Sequence, residues 1–485
     1  MMKKKLLTIL GCMALGSAMA QSDLPRVEVF EPQGDVADSL LGAFVQGVSL
    51  NGQYAVGYGT EYTNWSFIWD NVSGEFKLIT GSYRDISAAS GVSNDGSVVG
   101  AFYVDNGKAD NLGYMLPGIW KDGVWTQLPM SENGFIPTEG LDASVNGEAC
   151  FISGDGAIIT GYISSPTFDR NFYDEDGSLL ETRKVALLRP AVWKKTANGT
   201  YQLQRKGNKM PTGDDLQQGI WSRYGSSQDG TVISVVADHP SGSRSPAVMI
   251  NGELTRIYGK EDINVNLDDQ YFYDGVSVTV SPNGKYVPGY WSATGSGYDL
   301  SGFLYDTETG SLEELEGWGA ATVALDDGSI FGFDGYMGAA MYRNANKTFS
   351  GSLADYLNLY YGGYKGNLPQ TILSASGDGK TFGGWYSIAD AIGALMVPSI
   401  VVLNSDPNAE PDHITEWKND QRTIIVLGDE VIAPMAVKVE LYSAQGVLLD
   451  STTEDSITLE GAQGVVIVKA TYEDGKVEIK KVSVK

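Results

Sequence analysis

Cysteine and histidine are nearly missing from this chain of 485 residues, which holds only Cys12, Cys150, His239 and His413. Two histidines cannot build a multi-histidine zinc site. A Ser-His-Asp or Cys-His centre would have to rest on His239, followed by Pro240 in a turn-like stretch, because His413 falls in a polar Pro-containing segment. Basic residues are scarce as well: 34 Lys and Arg face 60 Asp and Glu, a net charge of −26. Such a surface repels nucleic acid and anionic lipid and favours cations or neutral ligands. Beyond the N-terminus there is no apolar run long enough to span a bilayer, so no transmembrane segment is expected in the mature chain.

The N-terminus itself reads as an export signal. Met1-Met2-Lys3-Lys4-Lys5 is basic, Leu6 to Met13 is a short apolar core, and Ala18-Met19-Ala20 is a small-residue cleavage site. Residues 1–20 are therefore a predicted signal peptide, with the mature chain starting at Gln21 and destined to be secreted or held at the outer-membrane surface, the periplasm being the alternative. Cys12 follows Ile9-Leu10-Gly11, which loosely resembles a lipoprotein box; lipidation there is the competing reading. Otherwise Cys150 remains alone, which excludes an intramolecular disulfide in an exported chain. Its neighbours Ala149, Phe151 and Ile152 are those of a buried strand, where a thiol packs as a small hydrophobe.

What the chain has in abundance is a turn. The copies are Val48-Ser49-Leu50-Asn51-Gly52, Val92-Ser93-Asn94-Asp95-Gly96, Ile152-Ser153-Gly154-Asp155-Gly156, Ser226-Ser227-Gln228-Asp229-Gly230, Val280-Ser281-Pro282-Asn283-Gly284, Ala324-Leu325-Asp326-Asp327-Gly328 and Ala375-Ser376-Gly377-Asp378-Gly379. Asn-Gly and Asp-Gly supply the positive φ of a tight turn between antiparallel strands. The turn glycines recur roughly every 54 residues, close to the ~40–50 of a four-stranded propeller blade. A second signature follows each turn, a small residue, two apolar residues and usually an aromatic one, as in Ser66-Phe67-Ile68-Trp69, Gly118-Ile119-Trp120, Ala191-Val192-Trp193 and Gly302-Phe303-Leu304-Tyr305. Further turns such as Lys121-Asp122-Gly123 then lead into a fourth strand. A hairpin pair cannot bury its own apolar face, whereas radially stacked sheets bury one another's. The expected fold is all-β: a seven-bladed β-propeller over 21–403, with the alternating Arg26-Val27-Glu28-Val29-Phe30 able to complete the last blade. A β-sandwich with incidental turns is the alternative.

Asn404 to Asp412 is polar, carries Pro407 and Pro411 and has no periodicity, so 404–415 reads as a linker. Residues 416–485 then alternate as short strands, Val437 to Gly446, Gly464 to Lys469 and Lys480 to Lys485, which suggests a small immunoglobulin-like β-sandwich. This segment resembles the C-terminal sorting domain of Bacteroidetes type IX secretion substrates, with its strand-turn-Gly, its Gly-x-Tyr-x-Val-Lys strand and its terminal basic strand; Val466 departs from the usual Tyr. That resemblance implies the outer-membrane secretion machinery as a partner. The turn and Ala-Phe-x-Trp-like strands resemble the HAF-type extracellular repeats of bacteria, Leu353 to Gly379 in particular. This second resemblance implies an architecture and an exported location and brings no catalytic residues.

The loops give the functional expectation. First-to-second-strand turns are all tight, so second-to-third-strand loops and blade-to-blade connections share the opposite face. That face carries Tyr62, Trp65, Trp291, Tyr298, Tyr336 and Tyr386 as candidate ligand-binding aromatics, with Phe168 to Tyr173, His239, Arg244, Tyr83, Arg84 and Trp221 nearby. Aromatic planes stack on sugar rings or apolar partner side chains; they equally pack on each other to order long loops. No catalytic residue, cofactor or metal is assigned. Asp262-Ile263-Asn264-Val265-Asn266-Leu267-Asp268 alternates oxygen ligands but has Leu267 where a calcium loop needs Gly, and Asp169 to Gly177 lacks the spacing. The expected function is an exported cell-surface propeller that binds an extracellular glycan or protein through its long-loop face. The alternative is a polysaccharide-active enzyme with carboxylates or Tyr/Arg at the funnel.

Overall fold

In a computed structural model of the chain, the residues described are 27–59, 65–105, 113–130, 147–164, 168–173, 177–185, 188–204, 225–238, 244–257, 274–292, 300–335, 338–389 and 394–404, and then 424–427, 430–433, 436–443, 447–454, 456–459, 464–472 and 477–484. The chain divides into two compact units, Met1–Asn404 and Ser405–Lys485. Among the described residues no helix is long and apolar enough to cross a membrane.

The first unit is all-β and propeller-like, a succession of mainly antiparallel sheets to which each turn copy contributes its own set of strands, those of the fourth and fifth copies being joined in one sheet. The first copy joins Ala43–Val48, Tyr54–Gly59, Ser66–Asp70 and Glu75–Ile79 in chain order; the second joins Ser87–Val92, Val98–Asp105, Gly113–Lys121 and Val124–Gln127. In the third, Gly147–Ile152, Ile158–Ser164, Leu188–Lys195 and Tyr201–Gln204 form the sheet, and a separate hairpin, Phe168–Tyr173 with Leu179–Val185, is inserted between its second and third strands. The fourth copy shows Val232–Asp238, Arg244–Ile250 and Glu253–Arg256, with a lone Ser226–Ile233 bridge where the first strands of other copies end. One parallel pair, Arg244 with Asp274, joins it to the fifth copy, Asp274–Ser277, Tyr286–Ser292, Leu300–Asp306 and Leu312–Leu315. The sixth is Trp318–Ala324, Ile330–Asp334, Ala340–Arg343 and Ser350–Ser352.

The seventh copy supplies Thr371–Ala375, Thr381–Ala389 and Ala394–Leu403, and its outer strand comes from the other end of the chain. Val27–Phe30 pairs antiparallel with the last strand, Val27 opposite Leu403 and Phe30 opposite Ile400. The sequence expectation for this segment rested on alternation alone; the pairing gives it a place.

Packing runs from sheet to sheet. Val56, Val98, Phe102, Ile159 and Trp193 share one core across the first three copies, Ile233, Val235 and Cys150 join the third to the fourth, and Val287 and Phe303 meet Val232 and Val248. At the far end Phe67, Trp69 and Val45 of the first copy pack with Ile400 and Val402 of the seventh. The signature aromatics Trp69 and Trp193 are fully buried, and each large apolar side chain so buried contributes about 1.5–3 kcal/mol. A recurrent glycine permits this closeness: a Cβ on Gly57, Gly100, Gly161, Gly332 or Gly384 in the second strand would fall on the carbonyl oxygen of Phe44, Ala88, Glu148, Ala320 or Thr371 in the first.

The second unit has its own core. Leu448–Thr452, Ala436–Ser443, Gly464–Tyr472 and Val477–Val484 form one sheet in that order, and Ile425–Leu427, Glu430–Ile432 and Ser456–Thr458 form another. Val439, Leu441, Val466 and Val468 of the first sheet share buried contacts with Val431 and Ile457 of the second. On the other side of the larger sheet, Glu440 is held between the ammonium groups of Lys438 and Lys469, at 2.7 and 3.0 Å.

Candidate functional site

The turn motif is a hydrogen-bonded unit. In the third copy the buried Ser153 hydroxyl donates to Asp155 Oδ1 at 2.6 Å and accepts from the Ile158 amide at 2.9 Å, while Asp155 Oδ1 also accepts from the Ala157 amide at 2.9 Å. Gly156 takes φ 68, which the turn requires. The same arrangement recurs around Asn51, Asp229, Asn283 and Asp378. Leu325 replaces the Ser in the sixth copy, where Asp327 still accepts from the Ser329 amide at 2.8 Å. Burial pushes the Asp95 carboxyl up, but hydrogen bonds from Ser93 and Ser97 and the Lys121 ammonium at 3.4 Å outweigh it and hold the group well below the carboxylate range. The Ser153 hydroxyl and Ala157 amide lower Asp155, and at Asp229 the Ser227 and Thr231 hydrogen bonds likewise overcome burial.

The turns also hold one another. The Asn51 amide donates to Asn94 Oδ1 at 2.9 Å, Asn94 N to Gly154 O at 2.9 Å, Gly154 N to Gln228 Oε1 at 2.6 Å, and Gln228 N to Pro282 O at 2.9 Å. Asn283 N donates to Asp326 Oδ1 at 2.8 Å, and Gly377 N to Leu50 O at 2.8 Å. The variable residue between the Ser and the Asp or Asn is thus the joint between neighbouring copies.

Inside this ring of turns the first strands surround a cavity of about 110 Å³. Its wall comes from every copy, for example Gln46, Ser90, Cys150, Ser226, Thr279, Val323 and Ser374, so it is the axial channel. The two Leu50 methyls lie where a Cβ on Gly154 or Gly377 would meet them, at 2.9 and 2.7 Å, so Leu50 narrows the channel at the turn end. Register breaks recur three residues before the motif Ser, where Gln46, Ser90, Cys150 and Leu373 are the extra residues of β-bulges and line the channel. Ser90 Oγ donates to Glu148 Oε1 at 2.5 Å, and the Tyr162 hydroxyl to Glu148 Oε2 at 3.2 Å. Gln46 Oε1 is buried without a protein partner.

Of the expected aromatics, Trp65, Trp291 and Tyr386 are among the described residues, and they lie in three different settings. Tyr62, Tyr298 and Tyr336 lie outside the described residues, as do His239, Trp221 and the segment 262–268. Trp291 needs correction as a ligand-stacking candidate: it stands at the end of its strand, Tyr286–Ser292, as expected, but it is 8% exposed because its ring packs with Val232, Val287 and Phe303. Trp65 is half-buried against the core around Phe67. Tyr386 is a clasp: its hydroxyl donates to Glu31 Oε2 at 2.7 Å, while Glu31 Oε1 takes the Asn367 amide at 2.9 Å, tying the end of the N-terminal strand to the seventh copy. Burial, then this bond to Glu31, pushes its phenol up to about 12. The hairpin beginning at Phe168 and the connection Tyr83–Asp85 occupy the long-loop face, the latter with Arg84 and Asp85 both at positive φ.

Sequence reasoning missed Gln46, Ser90 and Glu148. Superimposing the copies aligns Gln46 and Ser90 three residues before the motif Ser, but Cys150 and Leu373 stand there in the third and seventh copies, so no shared polar pattern marks the position. Among the described residues no group of three His, Cys, Asp or Glu is placed to hold a metal ion.

No protein-family profile matches the chain, and no curated protein matches it in sequence. In structure it is similar to YCF48 bound to D1 peptide, at 13% identity over 81% of this chain and 99% of that one, with a TM-score of 0.41. It is also similar to a puromycin-hydrolyzing peptidase of Mycobacterium tuberculosis, at 10% identity over 93% and 62% with a TM-score of 0.42, and to the WD40 β-propeller domain of Doa1, at 11% over 74% and 96% with 0.34. Scores this low carry no argument, and the fold rests on the strand pairing itself.

Proposed function

We propose that the first unit is a seven-bladed β-propeller, exported and held at the cell surface, that binds an extracellular protein or glycan through its long-loop face. The seven turn copies and the pairing of Val27–Phe30 with the last strand support this blade count. The observation that carries the binding reading is the asymmetry of the two faces: the turns are hydrogen-bonded to one another, while the opposite side accepts a hairpin inserted into the third copy without disturbing its four-stranded sheet. Loops on a rigid scaffold are where recognition residues can vary freely. The second unit, with its own two-sheet core and a final strand bearing Lys480 and Lys481, supports the immunoglobulin-like sorting-domain reading and with it the secretion machinery as a partner.

The described wall of the channel contains no Asp or Glu, so the pair of carboxylates that glycoside hydrolysis needs is not assembled there by described residues. A glycan array and an extracellular-protein pull-down with the full chain, run beside a polysaccharide-turnover assay, separate the readings. Saturable binding without turnover is expected; turnover would move the protein to the enzyme reading, and no binding on either arm would remove the proposal.

A further inference from the structure

We infer that the axial channel, apart from the long-loop face, is a binding site for a small organic cation carrying N–H donors, of the primary-ammonium class. Gln46 is 8% exposed, lines the channel, and its Oε1 has no protein partner. An amide oxygen buried in that way calls for a donor. Beside it, Gly47 lies against the Ser90 backbone, and the Ser90 hydroxyl connects the wall to the Glu148 carboxylate. The wall itself carries no Lys, Arg or His among the described residues, in a chain of net charge −26. A narrow cleft with low-dielectric walls focuses such a field and concentrates cations.

Size and donor set narrow the occupant. A cavity of about 110 Å³ admits a methylammonium-sized group and not a sugar ring. Gln46 and Ser90 bring acceptors to the wall, and Val48, Val92 and Leu50 add apolar surface among the turn-end residues Gln228 and Ser376, a mixed lining that suits an ammonium with a short alkyl tail. The scarcity of carboxylates argues against a bare divalent ion, which takes six or more oxygens. The occupant's source is either a free amine or a lysine side chain of a partner.

Cys150 lines the same channel and reports on it. With Cys12→Ser to leave one thiol, the aminoethyl methanethiosulfonate cation is expected to modify Cys150 at least tenfold faster than the sulfonatoethyl anion, relative to a free thiol. Methylammonium chloride is expected to slow the neutral methyl reagent and to raise Tm at constant ionic strength, and sodium chloride to do neither. Gln46→Leu, which removes the orphaned acceptor and keeps side-chain bulk, should keep the circular-dichroism spectrum and lose both effects. Equal reagent rates, or a Tm rise that is absent, matched by sodium or retained in Gln46→Leu, would overturn the site; the Tm arm decides if the thiol proves unreactive. A lysine peptide that reproduces the protection assigns the source to a partner, and protection by methylammonium alone assigns it to a free amine.

Discussion

The two faces of the first unit are built on opposite terms. On the turn face, Ser153, Asp155 and Gly156 repeat the geometry of Ser49, Asn51 and Gly52 two copies away, and backbone amides link the first six turns in sequence and the seventh to the first. On the long-loop face no two described connections agree: a hairpin follows Ser164, Tyr83–Asp85 forms a short 3-10 turn, and the helix Leu353–Tyr361 leads into the seventh copy. Closing a ring of sheets needs one rim in which every joint is specified. Once that rim exists, the other can vary without costing the ring its closure.

The contrast breaks most sharply within a single sheet. Gly332 lies in the second strand of the sixth copy, where a Cβ would fall on the Ala320 carbonyl; Gly335, three residues on toward the long-loop face, has nothing within 4 Å. Gly332→Ala is expected to cost about 3 kcal/mol, the upper end of overpacking penalties, and Gly335→Ala to stay within about 0.5 kcal/mol. Urea denaturation of the two variants checks it. Similar losses from both would mean that the faces are equally constrained and the comparison fails.

A smaller effect tests whether the turn hydroxyl matters beyond its bond to the carboxylate. Ser153 is 1% exposed and accepts the Ile158 amide. Removing it in Ser153→Ala leaves that buried N–H unsatisfied, a cost of about 1–3 kcal/mol. The sixth copy, with Leu325 at this position, already lacks the hydroxyl, so the matching Ser376→Leu in the seventh tests whether an apolar residue can replace it. Equal stability of Ser153→Ala and the unaltered chain in thermal melts would make the hydroxyl ornamental.

How much of this was legible beforehand follows the same division. Asp-Gly and the aromatic strand signature are local chemistry, so the sheets could be placed from them, and the alternation of Val27 to Phe30 pointed to a strand. Trp291 was misassigned because a Trp at a strand end looks the same in sequence whether its ring turns to the next sheet or to solvent. Tyr386 could not be read as a clasp, since its partner Glu31 is 355 residues away. The channel residues escaped because a β-bulge leaves no mark of its own: Gln46 and Ser90 look like ordinary strand residues until their register with the second strand is known.

The smallest expected effect separates charge from geometry on the turn face. Asp95, Asp155 and Asp229 titrate below the ordinary carboxylate range in the folded chain. A carboxyl lowered by folding contributes stability that is fully present above the unfolded value of about 3.9, and the contribution is lost as pH falls toward the folded value. These groups are largely exposed, so solvent screens much of the gain. The first and fifth copies already use Asn51 and Asn283 in the same geometry, each accepting from its Ser at 2.8 Å, so Asp155→Asn keeps the turn and removes only the titration. Stability measured by urea midpoint from pH 6 down to pH 3 should then fall less steeply in Asp155→Asn than in the unaltered chain, with little difference at pH 7. A variant that unfolds at neutral pH would show that the third turn, unlike the first and fifth, needs the negative charge to hold its shape.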